Sequence, residues 1–269
     1  MTVLRGPIVL VGCGKMGGAL LQGWLAAGLE PGEAWVVEPA AGAAVPAGVN
    51  RRAAVTELPR DLAAAAIVLA VKPQMMDAPA AALVPWVGAR TLVLSIAAGK
   101  TLRYFQDRYG EAVAIVRAMP NTPAAVGRGA SVLCAAPGAD GSARALAQAL
   151  LAAVGTVDWV EDEALMHAVT AMSGGGPAYV FLLIETLARA GERLGLPAEL
   201  AQRLARRTVE GSGFLSQASP ESPEQLRRNV TSPGGTTQAA LAILMGEPGL
   251  QDLFDRALAA AAARSRELG

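Results

Sequence analysis

Gly12, Gly14 and Gly17 stand in "VGCGKMG" with the spacing G-x-G-x-x-G, directly after the apolar run "PIVLV" and before an apolar helical stretch. Each glycine has a separate use. Gly12 allows a tight turn, Gly14 lets the backbone approach a pyrophosphate, and Gly17 lets helix and strand pack closely. The helix N-terminus then offers free N–H groups and a positive dipole end to the phosphates. The loop residues Gly12, Cys13, Gly14, Lys15, Met16 and Gly17 are therefore candidates for holding a dinucleotide. The plainer alternative is a simple strand-to-helix turn.

Glu38 ends the next strand run, in "VVEPAAG". A carboxylate there accepts hydrogen bonds from the ribose hydroxyls and repels a 2′-phosphate, which favours NADH over NADPH. The next cations in sequence are Arg51 and Arg52. "AVKP" closes another strand, and its residues Ala70, Val71, Lys72 and Pro73 suit a backbone wall for a cofactor better than a titrating role. "SIAAG" leaves room for a flat ring at Ala97 and Ala98. In "AMPNTP" the prolines at 120 and 123 stiffen the backbone around Asn121, which is a candidate for either cofactor or substrate. A stiff turn with local side-chain bonds is the alternative there.

A second small-residue loop, "SPGGTT", lies far along the chain at Ser232–Thr237. It opens a helical stretch. Backbone N–H groups there, with the hydroxyls of Ser232, Thr236 and Thr237 and the close approach that Gly234 and Gly235 permit, suit a carboxylate. "SGGGPAY" at 173–179 has the same character, with Thr170 one turn before it. Each loop taken alone reads as a helix cap.

The elements that position these residues differ between two halves. Short β-branched runs occur at 7–12, 34–38, 66–71, 91–96, 112–118, 130–135 and 155–160, with helical stretches such as 16–27, 101–109 and 140–153 between them. Continuous apolar strands alternating with helices predict a mainly parallel sheet covered on both faces. After residue 160 the pattern is helical, at 162–174, 177–195, 197–217, 234–246 and 249–268, with Gly174, Gly195 and Gly246 as expected stops. The domains expected are 1–160, α/β and Rossmann-like, and 161–269, all-α. The stretch 177–195 is apolar on most faces, so it predicts burial, with a partner subunit covering it.

Composition narrows the function. The chain has 269 residues, 52% hydrophobic, and 23 basic residues balance 23 acidic ones. Zero net charge and 4% aromatic residues argue against nucleic-acid binding. Cys13 and Cys134 have no paired spacing, and the first residues lack a secretory pattern, so a cytoplasmic location is expected. No uninterrupted apolar run reaches the length of a membrane span, so no membrane partner is expected. With one histidine, His167, neither a histidine metal site nor a serine triad is expected.

The order and spacing of "VGCGKMG", "AVKP", "SIAAG", "RAMPNTP", "SGGGPAYVF" and "NVTSPGGTT" resemble those of the pyrroline-5-carboxylate reductases over essentially the whole chain. The resemblance implies reduction of 1-pyrroline-5-carboxylate to L-proline with NADPH or NADH, the last step of proline biosynthesis. It also implies a Rossmann-like domain, a helical dimerisation domain interlocked with a second subunit, and dimers that can build a decamer. "SPGGTT" resembles the loop that holds the substrate carboxylate, supplied in the interlocked dimer by the partner subunit, and Thr170 resembles a threonine near the substrate ring nitrogen.

The chain departs from the family pattern at several positions: Gly175 replaces a serine, Ser222 a histidine, Arg227 a lysine and Arg228 an aspartate. Glu38 replaces the small or basic residues suited to a 2′-phosphate. Two other readings compete. A β-hydroxyacid dehydrogenase would offer a lysine in the helical half, but no lysine follows Lys100. A nucleotide-binding sensor would bind cofactor without turnover.

Overall fold

A computed structural model describes residues 4–268. Its sheet has eight strands: β1 (Ile8–Val11), β2 (Ala34–Val37), β3 (Asn50–Arg52), β4 (Ala66–Leu69), β5 (Leu92–Ser95), β6 (Ala114–Met119), β7 (Gly129–Ala135) and β8 (Gly155–Trp159). The spatial order is β3-β2-β1-β4-β5-β6-β7-β8. Every pairing is parallel except β6 with β7. The mainly parallel sheet expected from the apolar runs is present.

Alternation along each strand builds two apolar layers. Ile8 and Leu10 join Leu20, Leu21, Trp24, Leu94 and Leu150 on one face. Val9 and Val11 join Ile67, Val93, Leu83 and Phe105 on the other. Helix α1 (Lys15–Ala26) buries Gly17, Leu20, Leu21 and Trp24, the stripe expected of a period near 3.6. The short α2 (Asp77–Ala82) and α3 (Leu102–Tyr109) follow β4 and β5. Helix α4 (Gly141–Ala152) is capped by Asp140, whose carboxylate accepts the Ala143 N–H. Trp24, fully buried, donates its indole N–H to the Leu150 carbonyl at 2.8 Å and so ties α1 to α4.

The remaining helices are α5 (Leu165–Val169), α6 (Gly176–Arg193), α7 (Ala198–Ala218), α8 (Pro223–Asn229), α9 (Thr236–Leu244) and α10 (Leu250–Glu267). The described residues form two compact units, one running to Gly175 and including the chain end from Ala261, the other Gly176–Ala260. Gly174 does not stop its helix, contrary to the sequence expectation. A π turn over Thr170–Gly174 carries the chain on, and the helix runs from Leu165 to Arg193. Glycine tolerates this widened turn, which a stop signal does not distinguish.

The run-on also lengthens the apolar segment. Its 29 residues are long and apolar enough to cross a membrane, where the sequence alone showed no uninterrupted run of that length. Length and composition do not separate a bilayer from a protein partner. The segment is mostly exposed within one chain, with Phe181 63% and Leu182 57% accessible. Apolar faces of this extent mark an interaction surface.

Replacing Trp24 with Phe removes the bond to Leu150 and part of a full-buried ring. We expect a loss of about 1–3 kcal/mol in urea unfolding, with the fold retained.

Candidate active site

The strand order reverses between β1 and β4, since β1 leads outward to β2 on one side and the sheet continues through β4 on the other. Ligands in open α/β sheets sit outside the carboxyl ends of strands at such a point. The glycine turn follows β1 there. Gly12 has φ +93°, and a Cβ on it would lie 2.8 Å from the Ala70 carbonyl oxygen at the end of β4. A Cβ on Gly17 would lie 2.2 Å from the Gly12 oxygen, so α1 can approach β1 this closely only with glycine. Gly14, by contrast, is exposed and faces open space. No side chain caps α1. Its first-turn N–H groups are thus left for a bound anion or water. An open cradle, a bare helix end and two glycines that admit no side chain fit the pyrophosphate of a dinucleotide.

The other nucleotide-site candidates lie at the same edge of the sheet. Glu38 follows β2, and its carboxylate accepts the Cys13 N–H at 2.8 Å and the Ala40 N–H at 2.9 Å. Arg51, unremarkable in the sequence, pairs in register with Val36 through β3, which the polar run "NRR" did not reveal as a strand. Ala70, Val71, Lys72 and Pro73 follow β4, with Lys72 exposed. Ala97 and Ala98 follow β5, and the Ala97 N–H is held by the Ser95 hydroxyl at 3.3 Å. Burial, and then the Glu38 charge, raises the Cys13 thiol above its ordinary range, so it stays protonated.

Asn121 follows β6 and is a staple. Its Oδ1 accepts the Ala130 N–H at 2.9 Å, and its amide donates to the Ser173 hydroxyl at 3.3 Å. This brings the π turn beside the end of β6, where a Cβ on Gly174 would press on Met119 Sδ at 3.2 Å. Thr170 opens that turn. Its hydroxyl donates to the Met166 carbonyl at 2.7 Å, which leaves only the oxygen lone pairs for another group.

Arg117, in "RAMPNTP", is 3% exposed and pairs with Glu163. Glu163 Oε1 also accepts the Leu102 N–H at 2.7 Å, at the start of α3. A charge inside the apolar run "AVAIVRA" was the available sequence signal for this buried pair. His167, three positions before Thr170, packs against the chain end. Its Nδ1 lies 3.0 Å from the Ser265 hydroxyl, and burial, then Arg117 and Arg266, lowers its proton affinity.

In the second unit, Ser232, Gly234, Gly235, Thr236 and Thr237 form an open loop. Gly234 has φ +68°, and the Gly235 N–H donates to the Ser232 carbonyl at 3.0 Å. No side chain caps α9, and Thr236 and Thr237 are exposed. Bare N–H groups with hydroxyls alongside suit a carboxylate. The departures upstream are locally satisfied. Arg228 pairs with Glu224 at 2.6 Å, and Ser222 caps α8 by accepting the Gln225 N–H at 3.2 Å. Arg227 reaches Met245 Sδ at 3.3 Å.

Comparison with known proteins decides the family. A protein-family model described as pyrroline-5-carboxylate reductase dimerisation matches residues 163–268, and one described as NADP oxidoreductase, coenzyme F420-dependent, matches 7–99. The pyrroline-5-carboxylate reductase of Pseudomonas aeruginosa is 40% identical over 97% of this chain and 96% of that protein. The chain belongs to the pyrroline-5-carboxylate reductase family. The solved Coxiella burnetii pyrroline-5-carboxylate reductase is 36% identical, with a TM-score of 0.87 over 98% of each chain. A Plasmodium falciparum pyrroline carboxylate reductase solved with NADP bound is 30% identical, with a TM-score of 0.85 over 97% of each chain. The dimerisation model lies on the helices with exposed apolar faces, and the chain is accordingly one that oligomerises.

Two measurements test the packing of the site. Glu163→Ala leaves a buried guanidinium uncompensated, and we expect a loss of about 3–5 kcal/mol in denaturant unfolding, with Glu163→Gln milder. His167 binds its proton less readily folded than unfolded, so its contribution is present above the ordinary imidazole range and is lost as pH falls through it. The melting temperature of His167→Gln should therefore fall less than that of the parent between pH 7 and pH 5, about the range over which a free imidazole titrates.

Proposed function

We infer that the chain reduces 1-pyrroline-5-carboxylate to L-proline with NAD(P)H. Family membership supports the substrate, and the observation that carries the cofactor side is the glycine turn at the reversal point of the sheet, with the open end of α1 beside it. Gly12, Gly14 and Gly17 hold the pyrophosphate, with Cys13, Lys15 and Met16 alongside. Glu38 meets the adenosine ribose. Ala70–Pro73 and Ala97–Ala98 wall the nicotinamide end, and Asn121 supports that wall as a staple.

When bound, the reduced nicotinamide supplies the hydride that the imine carbon accepts. The protein's own work is positioning and electrostatics. A protonated imine is already electrophilic, so no strong side-chain acid is required. Thr170 has committed its own proton to Met166, so its oxygen acts as an acceptor and holds the imine N–H. His167 Nδ1 is engaged with Ser265, which supports a packing role for this histidine rather than that of proton source. The N–H groups at the start of α9, with Ser232, Gly234, Gly235, Thr236 and Thr237, anchor the substrate carboxylate, and in an interlocked dimer the partner subunit supplies this loop. Assembly of dimers into a decamer and a cytoplasmic location belong to the same proposal.

Loss of reduced-nicotinamide absorbance on adding pyrroline-5-carboxylate tests it directly, and no turnover with either cofactor would overturn it. Thr237→Ala should raise KM for the imine by about tenfold with kcat nearly kept, as for a ground-state anchor. Thr170→Val should lower kcat/KM by roughly tenfold to a hundredfold through loss of a bond to a charged donor.

A further inference from the structure

We propose that Glu38 makes the nucleotide site select NADH over NADPH, and that Arg51 clasps the adjoining loop rather than binding a phosphate. The inference rests on the dinucleotide-binding reading above. Glu38 Oε2 accepts the Cys13 N–H at 2.8 Å and Oε1 accepts the Ala40 N–H at 2.9 Å. A carboxylate offers about four lone-pair sites, so each oxygen keeps one free. Two backbone donors on separate segments fix the group at the end of β2, beside the glycine turn, where the adenosine ribose belongs in such sheets. Ribose hydroxyls can donate to the remaining lone pairs. A 2′-phosphate meets the same negative charge, and Glu38 cannot swing away without breaking both backbone bonds.

A basic partner would cancel this selection, and β3 does bring two arginines alongside β2. Both are turned onto their own loops. The Arg51 guanidinium donates to the carbonyls of Ala40 at 2.5 Å, Ala41 at 3.3 Å and Glu38 at 3.4 Å. Arg52 donates to the Arg51 carbonyl at 2.7 Å and the Glu57 carbonyl at 3.2 Å, with its guanidinium 4.8 Å from the centroid of the Trp35 ring. Arg51 thus closes the turn between β2 and β3 and holds the Ala40 segment that in turn holds Glu38.

Titration of the protein with NADH and with NADPH, without substrate, followed by nicotinamide fluorescence, tests the proposal. The parent protein should bind NADH about tenfold more tightly, the scale of one like-charge contact near a protein surface. Glu38→Gln should bring the two dissociation constants to within about twofold of each other, chiefly by tightening NADPH. Arg51→Ala should weaken both cofactors by the same factor. Equal or tighter NADPH binding by the parent overturns the proposal. So does an unchanged ratio in Glu38→Gln, or a loss confined to NADPH in Arg51→Ala. Binding of neither cofactor overturns the dinucleotide reading and this inference together, whereas a preference for NADPH overturns the inference alone. The parent ratio decides the matter even where Glu38→Gln fails to fold.

Discussion

The closeness of the backbone at the glycine turn is the constraint on which the first unit depends. A side chain on Gly17 would stand 2.2 Å from the Gly12 oxygen, and one on Gly12 would stand 2.8 Å from the Ala70 oxygen. The Gly12 N–H donates to the Val37 carbonyl at 2.9 Å, and the Ala70 N–H donates to the Val11 carbonyl at 2.8 Å. The ends of three strands are therefore drawn to one point. That convergence lets Glu38 reach across to Cys13, and it aims the bare start of α1 at the place where those strands end. A single added methyl group at Gly17 would separate helix from sheet and loosen all of these contacts at once.

A second constraint governs the far side of the same edge. Arg117 is buried in the sheet and requires a counter-charge, because an isolated ion in that environment is costly. Glu163 supplies it and also takes the Leu102 N–H at the start of α3. One carboxylate thus couples the end of β6, the start of α3 and the entry to α5. Asn121 couples β6 to β7 and to the π turn in the same way. The rigid loop that the prolines suggest is rigid for a further reason: its asparagine is occupied on both ends.

Much of this was legible in the chain, and the failures have physical causes. All the apolar runs are strands: those inside the sheet carry β-branched residues buried on both faces, and β8, at the edge with no buried residue, still carries its apolar run. β3 is also a strand but is not legible in the sequence, because Asn50, Arg51 and Arg52 carry no apolar signal and pair only at the sheet edge. That omission hid the neighbour relation between Arg51 and the Glu38 region, which sequence distance alone obscured. The glycine triplet suggested a helix stop, but glycine permits a widened turn as readily as an end. The ion pair of Arg117 was signalled by a charge in an apolar run, yet its partner lies 46 positions away and no local rule names it. The glycine turn before α1 and "SPGGTT" before α9 do open helices, whereas "SGGGPAY" lies within the run from Leu165 to Arg193.

In the second unit the uncapped start of α9 and the apolar faces that call for a partner lie on the same set of helices. Its helices bury little within one subunit: α6 buries Ala188, α7 buries Ala201 and Ala205, and α9 buries no residue. Ile243 and Leu244 at the end of α9 are 79% and 50% exposed, as are many apolar residues of α6 and α7. Burial of such side chains is worth about 1.5–3 kcal/mol each, so these helices leave a large share of their own apolar stabilisation unrealised in a single subunit. The family places a dimerisation surface over these same helices. The helix whose open start suits a carboxylate is thus also a helix whose flank needs a partner. Within one subunit that flank has no apolar cover among the described residues, since α9 buries none of its side chains. A substitution on the apolar side of α9 therefore acts on the same short helix that the Ser232–Thr237 loop opens.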